Sequence, residues 1–487
     1  VWTPGSYLVR EYQRHVENVV ARDAGGGVLE VRKNRKNRWQ IQTGGARSVT
    51  VTYRVYGREM TVRTNWIEAG FAMLNGAPTF ISLVGGTALP HDVSIELAPA
   101  WQNSSTALAP GSEPHTYRAE DFDMLVDSPI ILGNPVIRQF EAAGKRHYLV
   151  LEGDPQFFDV DRAATDIRKI VEAGGQIMDG RFDYPHYYML NLVNDAGGGL
   201  EHKNSFLTMS GRFTTKTPRA YQAWLGLVAH EYFHNWNVKR LRPIDLGPFF
   251  DYENEVLTKA LWIAEGFTDY YAGLLVKRAG LSTRDQYLEE LTSQIEAVQN
   301  TPGRLVTSVD MASYDTWIKQ YRPDENTANT TVNYYPKGAV IAFLLDARIR
   351  RATNGAKSLD DGMQLAYQRY SGPKGYTLEQ FYQTMSDTAG TSLRVFFSTA
   401  AESTEELNYK EALDWFGLRF RPVDTRAQRA WIGASTRNDA GRLVVRAVPR
   451  DTPAYTAGIN VNDEIVAIDE VRVRADGLAT RLEQYMP

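Results

Sequence analysis

Cysteine is absent from this chain of 487 residues. Its absence excludes disulfides, thiolate nucleophiles and cysteine-ligated metals, although it does not fix the cellular compartment. Long apolar runs are also missing, since no stretch approaches the roughly 20 residues that span a bilayer. The net charge is only −4, which gives no reason to expect nucleic acid or another polyanion as a partner. The basic run at residues 32–38 lies between strand-like stretches and therefore indicates an exposed hairpin.

The chain is longer than a domain with one hydrophobic core usually is, and its length suggests about three domains. Residues 1–155 contain short alternating apolar runs such as "SVTVTYRVYG", which predict an N-terminal β-rich domain. Residues 156–420 carry longer segments with helical periodicity. Residues 424–487 return to short strands, among them "WIGAST" and "RLVVRAV". The chain is therefore predicted to be a multidomain α+β protein.

One helix and two strands matter most for the middle region. The segment "PRAYQAWLGLVAHEYFHNW" predicts a helix, because Thr217 can cap it and Pro218 suits its first turn. Ahead of it, "YYMLNLV" predicts a buried strand, and "LEHKNSFLTMS" predicts an edge strand that follows. The predicted helix carries two of the eight histidines of the chain.

These two histidines belong to the motif His230-Glu231-Tyr232-Phe233-His234. Residues four apart share one helix face, so both imidazoles can point at one metal ion while Glu231 reaches a water bound to it. With eight histidines in 487 residues, chance would produce the motif roughly 0.01 times per chain. The alternative, two core histidines on one helix, stays open at this point. The motif favours a zinc site, with one ion per chain.

A catalytic zinc site needs a third protein ligand. Glu265 lies 31 residues after His234, on a predicted helix among apolar neighbours. A carboxylate in such surroundings needs a partner, and a metal would supply one. Asp269 follows four residues later and could accept a hydrogen bond from a ligand histidine, which would fix its tautomer. The alternative for Glu265 is an ordinary surface acid.

Two further segments could act on a peptide. Tyr334 and Tyr335 stand just before Pro336 and a predicted helix start, where a phenol could donate a hydrogen bond to an oxyanion. The alternative is an ordinary loop aromatic. Glu201 follows three glycines, which permit close backbone approach, and its carboxylate could pair with a substrate's α-ammonium group. The alternative for Glu201 is a solvated edge residue. The neighbouring His202 could look like a further ligand, but a strand-edge histidine is more often a polar surface group.

Four motifs together resemble a known family: "HEYFH", the downstream "AEGFTDYY", "GGLEH" and "YPKG". They are similar to the zinc aminopeptidases of the gluzincin group, in which a Gly-x-Met-Glu-Asn element anchors the substrate amine and a Tyr-x-Lys-Gly element supplies the oxyanion donor. The matching residues are Glu201 and Tyr335. This chain departs from the best-known members in the thirty residues between His234 and Glu265 and in His202, which replaces asparagine.

The chain resembles the glycyl aminopeptidase family over essentially its whole length. The features that carry this resemblance are both departures, the opening "WTPGSYLVREYQRHV" and a PDZ-like C-terminal stretch. The resemblance implies a β-rich N-terminal domain, a thermolysin-like catalytic domain with a helical C-terminal part, and a PDZ domain. It also implies a bacterial, periplasmic or secreted enzyme that releases N-terminal glycine and alanine. The chain opens on Val1 rather than Met, as expected if a signal peptide for such a location has been removed or left out, and the sequence does not distinguish the two.

The resemblance also implies a mechanism. His230, His234 and Glu265 would hold zinc, and Glu231 would act as the general base. Tyr335 would share the developing charge, and Glu201 would fix the N-terminus of a peptide substrate, so that only the first peptide bond is cut. Two alternatives stay open: an endopeptidase with a structural Glu201, and an inactive PDZ scaffold.

The C-terminal stretch supports a separate binding hypothesis. The segment Trp431-Ile432-Gly433 could form the loop whose backbone amides receive a C-terminal carboxylate, with the peptide added as an extra strand. It could equally belong to a packed accessory domain with a closed groove. Because the chain ends at Pro487, ahead of an expected final strand, this module is expected to be truncated.

Overall fold

The structure, a computed structural model, describes residues 5–247, 250–422, 430–474 and 476–485. The chain divides into two compact units. The first comprises Val1–Thr258, Thr268–Glu290 and Asp360–Phe381, and the second comprises Lys259–Phe267, Leu291–Leu359 and Tyr382–Pro487. None of the described helices combines the length and the apolar character needed to cross a bilayer.

The N-terminal part of the first unit is β-rich, as predicted. Its strands form antiparallel sheets of three, three and four strands and one separate hairpin. The strands are Val16–Asp23, Val28–Leu29, Val31–Arg35, Arg38–Ile41, Val49–Val55, Trp66–Ile67, Ala72–Leu74, His91–Ser94, Asn103–Ser105, Ala109–Pro110, Thr116–Ala119 and Ile130–Gly133. Two short helices, Gly76–Thr79 and Phe122–Val126, interrupt them.

The basic run forms the predicted hairpin. Strand Val31–Arg35 pairs antiparallel with Arg38–Ile41, and Arg35 stands opposite Arg38. Most of its charged side chains are exposed to solvent, while the guanidinium of Arg38 lies 2.6 Å from the carboxylate of Glu253. The charges therefore form a solvated rim, and the hairpin prediction is confirmed.

A five-stranded sheet is the core of the first unit around the predicted site. Its strand order is Val136–Ala142, Lys145–Gly153, His186–Val193, Ser205–Ser210 and Gly198–Glu201. The three inner strands are parallel, and each outer strand is antiparallel to its neighbour. The sheet crosses the domain boundary predicted near residue 155, and the division into three regions stays a prediction. The buried strand predicted from "YYMLNLV" lies at the centre of the sheet, so this prediction is confirmed.

The edge of this sheet differs from the prediction in one respect. The segment "LEHKNSFLTMS" does not form one edge strand: Ser205–Ser210 is an inner strand with every residue buried. The edge is Gly198–Glu201 instead, which ends on Glu201. The polar residues 202–204 form the turn between the two strands, because they are too short and too polar to continue either one. The edge strand therefore carries the glycines together with Glu201.

The predicted motif helix, Pro218–Phe233, is confirmed together with its cap and is called the histidine helix below. The Thr217 hydroxyl accepts a hydrogen bond from the backbone amide of Ala220 at 3.3 Å, and Pro218 occupies the first turn. The other helices of eight residues or more are Val160–Ile177, Phe267–Arg278, Arg284–Gln299, Tyr334–Ala352, Leu359–Tyr370 and Leu378–Ala389.

The second unit combines helices with short C-terminal strands. Its shorter helices are Val309–Tyr314, Thr327–Thr330, Arg394–Ala400, Lys410–Phe416, Pro453–Thr456 and Leu478–Leu482, and its strands are Ser435–Asp439, Arg442–Ala447, Ala467–Ile468 and Val471–Arg472. The strand predicted from "WIGAST" begins only at Ser435, because Ile432 instead accepts a hydrogen bond from the amide of Ala454 at 2.8 Å. The PDZ identity of residues 424–487 stays a prediction.

Two glycines bring backbone segments of the second unit into direct contact. The π-helical turn Trp262–Gly266 packs against the helix Tyr334–Ala352, called the tyrosine helix below. A Cβ atom added to Gly338 would overlap the carbonyl oxygen of Trp262 and would lie 2.8 Å from the Cα atom of Gly266. No side chain fits between the two backbones.

This contact predicts opposite effects for two glycine substitutions in helices. Gly338→Ala should lower the free energy of unfolding by about 1–3 kcal/mol, because one of the backbones must shift. Gly226→Ala is the matched control: nothing lies within 4 Å of its added Cβ atom, so better helix propensity should stabilise the protein by up to about 1 kcal/mol. Urea unfolding of both variants measures the difference, and shifts of the same sign would contradict it.

Candidate metal centre

The end of the histidine helix holds both histidines of the motif against fixed partners. His230 lies in its last turn, and His234 follows directly in helical conformation. The Nδ1 atom of His230 is 2.8 Å from the Asp269 carboxylate. The Nδ1 atom of His234 is 2.9 Å from the backbone oxygen of Asn237. The two Nε2 atoms face each other at 3.0 Å.

These contacts define which ring nitrogens carry protons in the neutral rings. A carbonyl oxygen and a carboxylate can only accept, so both Nδ1 atoms donate, and in neutral imidazoles both Nε2 atoms then present lone pairs. Two lone pairs 3.0 Å apart repel each other, whereas a cation bound to both would attract them. Two nitrogens bound tetrahedrally to zinc at the usual 2.0–2.1 Å lie roughly 3.3 Å apart. The histidine geometry therefore fits a zinc ion.

Glu265 supplies a carboxylate to the same place. It is 3% exposed and lies on the π-helical turn immediately before the helix that carries Asp269. His230, His234 and Glu265 each offer one ligand atom within 4.8 Å of the other two. Two imidazoles and one carboxylate are a donor set that zinc uses in catalytic sites. The structure thus brings the three predicted ligands together, and their binding of a metal stays a prediction.

The π-helical turn is a feature that the sequence analysis missed. A regular helix was expected to place Glu265 and Asp269 one turn apart on one face, but residues 262–266 have π-helical hydrogen bonding. Such turns contain more residues than an α-helical turn and occur often at functional sites. The turn lies where Gly266 meets Gly338, a tertiary contact that the periodicity of the local sequence does not show.

The glycines of the edge strand make room for Glu231 rather than for a ligand directly. A Cβ atom added to Gly199 would overlap the carboxylate of Glu231, which is buried beside the strand. Carboxylate oxygens of Glu201 and Glu231 and a nitrogen of His234 also lie within 4.8 Å of one another. The glycines therefore permit a close backbone approach, as expected, but the group that they approach is Glu231 of the histidine motif.

Glu201 is buried at the end of the edge strand rather than solvated, with 6% of its surface exposed. Gly5 packs directly against it: a Cβ atom on Gly5 would lie 2.5 Å from a carboxylate oxygen of Glu201. The φ angle of Gly5 is +79°, a left-handed conformation that favours glycine. Sequence reasoning missed Gly5, because nothing local in "WTPGSY" indicates a partner almost 200 residues away.

The expectation that His202 is a polar surface group is wrong. This side chain is 2% exposed, and its Nδ1 atom lies 2.9 Å from the Asp127 carboxylate. Asp127 is also 2.8 Å from the ammonium of Lys239. Burial alone would raise the pKa of Asp127, but the Lys239 charge and the His202 hydrogen bond outweigh it and hold that pKa below its usual range.

The two tyrosines are distinguished by their surroundings. They form the first turn of the tyrosine helix rather than the loop before it, because Asn333 caps the helix by accepting from the Tyr335 amide at 3.0 Å. The hydroxyl of Tyr334 is buried and bonded to Thr316 at 2.9 Å. Burial and the nearby Glu265 charge raise the pKa of Tyr335 well above its ordinary value. Tyr335 therefore keeps its proton at neutral pH and can act as a donor.

A cavity of about 310 Å³ lies beside Glu201 in the first unit. Its walls include Gly5, Glu201, Lys203 and Lys239, together with the aromatic ring of Tyr252. Charged groups of both signs therefore surround the space next to the predicted amine anchor.

Comparison with known proteins shows the family to which this chain belongs. The chain shares its fold with an aminopeptidase N family protein from Idiomarina loihiensis: the TM-score is 0.93 at 31% identity, over 100% of this chain and 86% of the other. A family model for the M61 glycyl aminopeptidase matches residues 223–341, and one for the M61 N-terminal domain matches residues 1–134. The chain belongs to the M61 glycyl aminopeptidase family.

Two further matches are weaker, one in sequence and one in structure. Aminopeptidase N of Caulobacter vibrioides is 28% identical over 218 residues, which is 43% of this chain but only 22% of that protein. A yeast LTA4 hydrolase, solved in complex with bestatin, has a TM-score of 0.50 at 13% identity over 84% of this chain and 62% of the other. The second likeness concerns the fold alone.

A buried hydrogen-bond chain fixes the histidine helix to the central sheet. The hydroxyl of Tyr232 contacts that of Tyr184 at 2.5 Å. The Tyr184 hydroxyl in turn lies 2.8 Å from Nε2 of His147, whose Nδ1 is 3.1 Å from the backbone oxygen of Lys145. The carbonyl requires the proton on Nδ1, so Nε2 accepts from Tyr184 and Tyr184 accepts from Tyr232. The neutral form of His147 is therefore part of the support of the motif.

This chain predicts a pH dependence of stability. Burial lowers the pKa of His147 to about 4, whereas the unfolded chain has a histidine pKa of about 6.5. Because the folded pKa is the lower one, this stability is complete above pH 6.5 and is lost as the pH falls towards 4. The loss should reach about 3 kcal/mol.

His147→Gln keeps an acceptor near the Nε2 position and removes the titration, so its unfolding free energy should fall less steeply between pH 6.5 and 4. Urea unfolding at several pH values measures the slope, with His15→Gln as a control histidine elsewhere in the chain. Equal slopes for wild type and His147→Gln would contradict the prediction.

Proposed function

We propose that this protein is a zinc-dependent aminopeptidase that hydrolyses the first peptide bond of peptides and favours N-terminal glycine or alanine. The observation that carries the proposal is the proximity of two sets of groups. The set His230, His234 and Glu265 can hold a metal, and the carboxylates of Glu201 and Glu231 lie beside His234. Membership of the glycyl aminopeptidase family supports the same activity.

The histidine pair and Glu265 are the residues that would hold zinc. When bound, zinc acts as a Lewis acid that makes water more acidic and polarises a carbonyl group. The protein's own contribution is to fix both imidazoles through Asp269 and the Asn237 carbonyl, which leaves both Nε2 atoms as donors to the metal.

Glu231 is the proposed general base. Its buried carboxylate would take a proton from the attacking water and pass it to the departing amine. The close backbone of Gly199 restricts the positions that this carboxylate can adopt, which supports a fixed geometry for proton transfer. The Tyr335 phenol, which keeps its proton, would donate a hydrogen bond to the oxygen that gains negative charge.

Glu201 is the proposed anchor for the substrate's α-ammonium group. A buried carboxylate attracts an ammonium group strongly, because water does not screen the pair. With the amine held at Glu201, only the first carbonyl of the peptide would reach Glu231 and the histidine pair, which defines an exopeptidase.

An endopeptidase and an inactive scaffold are the alternatives. The periplasmic or secreted location and peptide binding at Trp431–Gly433 rest on the family resemblance.

If Glu201 anchors the substrate amine, neutralising its carboxylate should selectively lower the activity on substrates with a free amine. Glu201→Gln should lower kcat/KM on an alanyl or glycyl chromogenic substrate by on the order of 30-fold or more, the usual result of losing one partner of a buried charged pair. Glu152→Gln is the matched control, because Glu152 is also buried in the same sheet.

The same assay on N-acetylated substrates separates the alternatives. The aminopeptidase proposal predicts that wild type discriminates strongly against the blocked amine and that Glu201→Gln loses much of this discrimination. Equal cleavage of blocked and unblocked peptides by wild type would instead identify an endopeptidase, and no cleavage of either by zinc-loaded protein would identify an inactive scaffold.

The general base predicts that metal binding and turnover can be separated. Glu231→Gln should retain one zinc ion per chain and lose roughly 10²- to 10⁴-fold in kcat, the usual contribution of a positioned base. His234→Ala should lose the zinc as well. Metal analysis by atomic emission together with steady-state kinetics measures both, and normal turnover by Glu231→Gln would remove this assignment.

A further inference from the structure

Asp127 occupies a position that neither the motifs nor the proposed mechanism explains. It follows the short helix Phe122–Val126, and its carboxylate accepts three hydrogen bonds. The donors are Nδ1 of His202 at 2.9 Å, the backbone amide of Lys203 at 2.9 Å and the ammonium of Lys239 at 2.8 Å. The Asp127 side chain is largely buried, so these charge-assisted bonds are stronger than they would be in water.

The three donors come from the two chain segments that carry the site. His202 and Lys203 directly follow Glu201, the proposed amine anchor. Lys239 lies two residues after Asn237, whose carbonyl oxygen holds the ring of His234. One carboxylate therefore joins the segment behind the anchor to the segment behind the second histidine.

Arg240 makes a second connection between the same two segments. Its guanidinium donates to the backbone oxygen of Lys203 at 2.7 Å and to that of Asn235 at 2.9 Å. It also donates to the side-chain oxygen of Asn204 at 2.7 Å and to the backbone oxygen of Asp183 at 2.8 Å. Arg240 is buried, and the planar fork of its guanidinium fixes the relative position of these four oxygens.

We propose that Asp127, assisted by Arg240, is a positioning residue that sets the distance between the Glu201 carboxylate and the histidine pair. That distance decides which carbonyl of an anchored peptide reaches the general base, so Asp127 holds the enzyme to the removal of a single N-terminal residue. The inference rests on the proposed function. A displacement of about 1 Å is enough to reduce the rate strongly in a site that acts by orientation.

His202 offers a way to test the position without removing Asp127. Only its Nδ1 atom is used, because the buried Nε2 atom has no hydrogen-bond partner among the described residues. The side-chain nitrogen of asparagine lies at about the place of a histidine Nδ1 atom. His202→Asn therefore keeps the hydrogen bond to Asp127, whereas His202→Leu removes it and fills similar space.

The experiment compares full-length wild type with Asp127→Ala, His202→Leu and His202→Asn, each loaded with zinc. The control is Asp346→Ala, because Asp346 is another buried carboxylate that accepts from a backbone amide, at 2.8 Å, and from a basic side chain, at 3.0 Å. For each protein, kcat and KM are measured on alanyl and N-acetylalanyl chromogenic substrates, and zinc content is measured separately.

We expect Asp127→Ala and His202→Leu to retain zinc and to lose at least roughly tenfold of the discrimination between unblocked and blocked amines, mainly through a higher KM on the unblocked substrate. His202→Asn and Asp346→Ala should keep the wild-type ratio. Zinc-loaded Asp127→Ala with the wild-type ratio and KM would overturn the inference. Should Asp127→Ala fail to fold, equal ratios for His202→Leu and His202→Asn would overturn it instead. A wild type without discrimination would overturn the proposed function and, with it, this role of Asp127.

Discussion

Two hydrogen bonds made on the far side of the histidine rings determine most of what this site can do. Asp269 and the Asn237 carbonyl each accept from an Nδ1 atom, and both rings therefore point a lone pair at the same spot. Without a cation this arrangement is repulsive, so the fold must hold it in place. That support comes from the capped histidine helix, from the hydrogen-bond chain that runs from Tyr232 to His147, and from the helix that carries Asp269.

Close approach of a glycine main chain to a carboxylate side chain is the second common element of the site. Gly199 allows the edge strand to lie against Glu231, and Gly5 allows the N-terminal segment to lie against Glu201. In both cases a carboxylate from another element occupies the space that a Cβ atom would fill. The two acids to which the proposed mechanism gives a role are thus restricted by main chain, which moves less than side chains do.

The parts of the site that depend on local sequence were predictable. Thr217 and Pro218 mark the start of the histidine helix, and the four-residue spacing of the histidines gives their common direction. The parts that depend on distant partners were not. His202 reads as a surface residue because its acceptor, Asp127, lies 75 residues away. The inner strand Ser205–Ser210 reads as an edge because the strand that covers it, Gly198–Glu201, precedes it by only a short polar turn.

The close contact between the backbones of Gly266 and Gly338 limits how parts of the second unit can move. Glu265 precedes the first glycine directly, and Tyr335 stands three residues before the second. Since neither backbone can slide past the other without a clash, the turn that carries Glu265 and the first turn of the tyrosine helix are held together at this point. A shift of either element would carry the other with it, so the main-chain spacing between the predicted metal ligand and the predicted oxyanion donor would be preserved.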